Sequence, residues 1–148
     1  MTGDASVELR DAAALLHQGE KERARASLLQ AWEKASTSGE PLPMSVAAHF
    51  LADTETDAAS ELEWDLRALE AATGSREAED REAVASVPES FLPSLHLSVA
   101  NGCRALGDLE RARRHVSFAS NHIGALSDDA YGNLIRGGLG RLQAALAT

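Results

Sequence analysis

Cysteine is almost absent from this chain of 148 residues: Cys103 stands alone. One thiol forms no internal disulfide, so covalent bracing is excluded. Cys103 lies at helical spacing from Val99 and Leu106 and reads as a small buried apolar residue, which fits a reducing cytoplasm. No uninterrupted apolar run approaches the ~20 residues of a membrane helix. The segment Met1–Asp11 is acidic and lacks the apolar core of a signal peptide. Nowhere does a Val/Ile/Thr alternation close on Asn-Gly or Asp-Gly, so β-hairpins are not expected. There is no GxSxG, no glycine-rich phosphate loop, no HExxH and no Cys/His dyad, so no catalytic residue is assigned and enzymatic activity is not expected. Histidine, cysteine and carboxylates form no cluster with ligand spacing, so neither a metal nor another cofactor is expected. The net charge of −9 argues against nucleic acid or an anionic membrane as partner.

What the chain has is alanine, leucine and charge in helical order. The charge is uneven: residues 1–52 carry seven acids and five bases, 53–89 twelve acids and three bases, and 90–148 four acids and six bases. The acidic middle reads as a solvated surface with a linker. The clearest stretch runs from Leu95 to Ala119. Leu92, Leu95, Val99, Cys103 and Leu106 recur every three or four residues and share one helical face. Leu109, Ala112, Val116, Ala119 and Ile123 repeat the pattern. Between the two sits Leu106-Gly107-Asp108, where Gly107 suits a left-handed helix end and Asp108 an N-cap. A corner this short makes the helices antiparallel and touching.

The same grammar appears earlier. Gly19-Glu20 forms a corner, and Ala24, Leu28 and Ala31 follow it at the offsets that Ala112, Val116 and Ala119 keep from Gly107. Asp4 is expected to cap the first helix, which runs to about Gln18. Residues 36–43 read as a loop, and Met44 to Asp53 as a short helix. Thr54 and Asp57 have capping-box spacing ahead of a helix carrying Leu62, Leu66 and Leu69. In this middle pair, alignment on Ala68 puts Asp65 at the apolar position, so the repeat is degenerate. Trp32 is expected to pack on the next hairpin, and the Trp64 indole N–H to meet solvent or a carboxylate. Residues 74–90 interrupt the period as a charged, partly helical excursion. Ser127-Asp128-Asp129 then caps a last helix containing Gly132, Gly137, Gly138 and Gly140. The reading of those glycines is a bare backbone packed tightly on the third hairpin; the alternative is a helix that orders only on binding or dimerisation, which leaves a homodimer open.

Glycine at the corner, then alanine, a larger apolar residue and alanine, resembles the tetratricopeptide repeat, here in Gly107, Ala112, Val116 and Ala119. The resemblance implies an all-α fold: a single domain of three antiparallel hairpins (about 5–37, 43–73 and 91–125) stacked as a short α-α superhelix. A closing helix over 127–147 completes it. It also implies a non-enzymatic protein–protein interaction module that binds a protein or peptide segment in a concave groove. In this register the groove positions are Leu9, Val46, Phe50, Asp53, Leu97, Asn101 and Arg104, with Asn101 and Arg104 placed to grip a peptide backbone or carboxylate. The lysine-rich clamp of some family members is not matched, because the only lysines, Lys21 and Lys34, fall in second helices. A different reading is a small-molecule-binding regulatory protein with a closed pocket under Trp32, Trp64 and Phe50. Among the polar residues, His49 and Asp53 lie four apart, and His115 and His122 seven apart, each pair on one helix face.

Overall fold

The computed structural model describes residues 5–76 and 87–147, and these contain helices and turns but no strand. Most of the charged excursion and the Asp4 cap lie outside the described residues. Seven α-helices follow in order: α1 (Ser6–His17), α2 (Lys21–Ser38), α3 (Pro41–Ala52), α4 (Ala58–Thr73), α5 (Leu92–Ala105), α6 (Leu109–Asn121) and α7 (Ala130–Leu146). Short 3₁₀ turns at Glu89–Phe91 and Ile123–Ala125 bracket the α5/α6 pair. Each helix packs chiefly on the next in sequence, and α7 lies against both α5 and α6. No described helix is long and apolar enough to cross a membrane.

The corners form as their residues dictate. Gly19 and Gly107 both take positive φ, +78° and +84°, and Asp108 accepts the Arg111 N–H at 3.2 Å. The expected loop over 36–43 shrinks to two residues. Gly39 ends α2 at φ +68°, and α3 begins at once with Pro41, whose missing N–H costs nothing in a first turn. The capping box at Thr54 does not form. Asp57 alone caps α4, accepting the Ser60 N–H at 2.8 Å, while the Thr54 hydroxyl donates back to the Leu51 carbonyl. Asp129 caps α7 through the Gly132 N–H at 2.8 Å.

The core is built from the expected stripes. Ala24, Leu28 and Ala31 of α2 and Ala112, Val116 and Ala119 of α6 are all buried. Small side chains there permit close helix axes. Cys103 is buried among them. Trp32 meets Trp64 edge to face with ring centroids 5.4 Å apart, joining the first two hairpins. The Trp64 Nε1–H donates to Glu55 at 3.2 Å, and Glu55 also pairs with Arg25. Two residues assigned to the inner stripes stand outside: Leu106 is 50% exposed and Leu109 41%. They flank the Gly107 corner.

The glycines of α7 divide into different cases. A Cβ on Gly138 would come within 3.0 Å of Leu97, so this position does let α7 lie close on α5. Gly132 instead makes room for its own entry loop: a Cβ there would sit 2.1 Å from the Ser127 carbonyl. At Gly137 the Arg141 guanidinium occupies the space, and Gly140 faces open space. The close packing expected of all four belongs to Gly138 alone.

Candidate functional site

The groove residues are carried by α1, α3 and α5, and their fates differ. Leu9 is half-buried and packs with Trp32 on Ala5, Ala31 and Ala47. Val46 is half-buried on α3, and Phe50 is half-buried against the main core. Asp53 is exposed just past the end of α3, yet crowding by its surroundings raises its pKa against the opposing pull of His49 and Lys21. Leu97 does not stand open: α7 covers it at Gly138. Asn101 and Arg104 remain exposed on the last turns of α5.

These last two are brought together with residues that the repeat register did not nominate. Asn101, Arg104 and Ala105 form one wall of a cleft of about 430 Å³. Leu109 and Arg113 of α6 and Ala145 and Leu146 of α7 form the rest. The cleft exists because α7 runs beside α5 in the same direction. Tyr131 Oη bonds Ser94 Oγ at 3.0 Å near one end, and Gly138 touches Leu97 midway. Further on, Ala145 and Leu146 of α7 face Asn101, Arg104 and Ala105 of α5 across a gap. Arg113 spans the cleft's edge and donates to the Leu146 carbonyl at 3.1 Å. The spacing of Leu109 and Arg113, four apart on α6, is the available signal, but Leu109 equally fits the buried stripe.

Two further clefts are shallower in chemistry. One of about 240 Å³ lies beyond Arg113, between α6 and the end of α7. Another of about 400 Å³ is lined by Glu55, Glu63, Trp64 and Arg67. There the Arg67 guanidinium already lies 4.5 Å over the Trp64 ring and bonds Glu63. The three aromatics expected to roof a ligand pocket are used in packing: Trp32 and Trp64 fill the space between them, and Phe50 lies beside the His49 ring.

Two buried polar pairs complete the inventory. His49 turns Nδ1 toward Asp65, 3.8 Å away on α4, rather than pairing closely with Asp53. Burial raises the Asp65 pKa, opposed by His49. In the third hairpin, His96 of α5 and His115 of α6 meet Nδ1 to Nδ1 at 3.1 Å, with His122 stacked on His96. Burial, then the charges of the two neighbouring imidazoles, hold the His96 pKa down at about 3. His122 also pairs with Glu89 at 3.0 Å. Sequence spacing linked His115 to His122 on one helix, but only the hairpin's closure supplies His96. Among the described residues, no group of three or more His, Cys, Asp or Glu is placed to hold a metal ion. Comparison of the chain with protein-family models, with curated proteins and with solved structures gave no match.

Proposed function

We propose that this protein is a non-enzymatic interaction module of tetratricopeptide-like build, acting in the cytoplasm, that binds a segment of a protein partner at the α5–α7 end of its groove. The observation that carries the reading is the cleft of about 430 Å³. Asn101 and Arg104, placed on the groove by the repeat register, share it with a second arginine, Arg113. An amide and two guanidiniums around an apolar floor offer directional bonds to a peptide together with burial for its side chains. The glycine corners and the small inner faces of α2 and α6 support the repeat reading. The lone buried thiol fits a reducing compartment.

The test is affinity capture from soluble extract of the source organism, using wild type and the Asn101→Ala/Arg104→Glu double variant as baits. Both residues are exposed, so the variant is expected to melt within about 1–2 °C of wild type, as surface changes usually do. A protein retained by wild type and depleted at least tenfold with the variant is the expected result. Equal capture by both baits would remove the cleft from the interface.

A further inference from the structure

Resting on the groove reading, we propose that the segment taken by this cleft is acidic: internal carboxylate side chains alternating with bulky aliphatic ones. Elsewhere the protein satisfies many of its cations with carboxylates: Arg25 with Glu55, Lys34 with Glu8, and Arg67 and Arg76 with Glu63. Around the cleft it does not. Arg113 bonds the Leu146 carbonyl, and among the described residues no carboxylate pairs with Arg104 or Arg113.

Exposed arginines are hydrated at little cost, so lack of a partner alone means little. Their setting matters more. Arg104 and Arg113 come from different helices and flank a floor made by Leu109, Leu146 and two alanines. An aliphatic side chain seated there would lose water while the carboxylates on either side reached a guanidinium each. Guanidinium–carboxylate bonds formed beside such a floor are partly shielded from solvent and are stronger for it. At about 430 Å³ the cleft matches the lower part of the range for ligand pockets, which suits a few side chains rather than a folded surface.

The chain carries −9 overall, but residues 90–148 carry four acids and six bases. Asp108 and Glu110 flank Leu109, yet this stretch as a whole is net positive, which favours an acidic segment here over the acidic remainder of the chain. A nucleic acid would meet the same arginines, but its sugar-phosphate chain makes no use of an aliphatic floor.

The experiment is fluorescence anisotropy of labelled peptides with the 148-residue chain. The probe is an acetylated, amidated Gly-Ser-flanked Glu-Leu-Glu-Leu-Glu peptide. Its companions carry Gln for Glu, Ser for Leu, or Gln for Glu with a free C-terminus; a 12-nucleotide single-stranded DNA is also tested. The Glu-Leu peptide is expected to bind at least tenfold more tightly than every companion, and to weaken severalfold between 50 and 300 mM NaCl. Arg104→Glu, a change at an exposed side chain, is expected to lower that affinity at least tenfold; Arg23→Glu on α2 leaves it unchanged. Equal binding of the Gln peptide, lost in Arg104→Glu, would overturn the acidic partner and leave the groove standing. Tighter binding of the free-terminus peptide or of the DNA would overturn it too. So would failure of every peptide while extract capture still depends on Asn101 and Arg104. Failure of both experiments would remove the acidic partner and the groove together.

Discussion

At the scale of single residues, the molecule places its buried polar groups where helices pair. Asp65 sits at the apolar position of the repeat register, and it is buried as that position demands, 3% exposed. His49 of α3 turns its Nδ1 toward it at 3.8 Å, across the pairing of α3 with α4. The His96–His115 contact joins α5 to α6 in the same way, at 3.1 Å. Here the consequence is a pH dependence. The His96 pKa, about 3 in the fold against about 6.5 unfolded, means that between these values the unfolded chain binds the extra proton. Stability is therefore fully present above about pH 6.5 and is lost as pH falls toward 3, at up to about 1.4 kcal/mol per pH unit for this one site. Urea unfolding of wild type and His96→Leu across pH 4 to 7.5 checks this. The variant's stability is expected to fall less steeply with acid, by as much as one proton's worth of slope. Parallel profiles would mean that His96 does not titrate differently on folding.

At the scale of elements, α7 shows how alike residues do different work on one helix. Gly138→Ala is expected to destabilise, because the new methyl meets Leu97 Cδ2 at 3.0 Å and that buried side chain must give way at the α5–α7 contact. Gly140→Ala meets nothing within 4 Å and is expected to stabilise by about 1 kcal/mol, the propensity difference between the two residues. Thermal melts of the two single variants should therefore shift in opposite directions; shifts of the same sign would contradict the close approach at Gly138. This contrast also marks what the sequence could carry. Corners and caps were legible at Gly19, Gly107, Asp108 and Asp129, because they depend on backbone needs that one or two residues meet. The buried stripes of α2 and α6 were legible because their spacing repeats. Leu106 and Leu109 were misplaced because periodicity identifies a face but not which of its positions a neighbouring helix covers. Thr54 was misplaced because two residues offered a cap and only the chain's path after Leu51 decides between them. Of the candidate site, Asn101 and Arg104 came from the repeat register. Arg113 and the cover over Leu97 depend on where α7 docks, which no local pattern specifies.

At the scale of the whole molecule, packing runs from each helix to the next, so stability is set by neighbour contacts, as in a short stack. The central helices α4 and α5 are covered on both sides, whereas α1 and α7 are each exposed on an outer face. Local opening should follow that order, because the free energy of opening scales with the contacts broken. Hydrogen exchange read by mass spectrometry is expected to show the slowest amides in α4 and α5 and faster exchange in α7. The cleft joins both regimes: one wall is the end of well-packed α5, and another is the last turn of α7. A segment seated between them would stabilise the more labile wall, since anything that binds the closed form alone shifts the opening equilibrium toward it. Saturation with the Glu-Leu peptide should then slow exchange at the C-terminal end of α7 and leave α1 unchanged. Protection spread evenly over both ends would instead indicate a general rise in global stability. Protection confined to α3 and α4 would move the binding surface to the middle of the stack, where Val46, Phe50 and Asp53 lie.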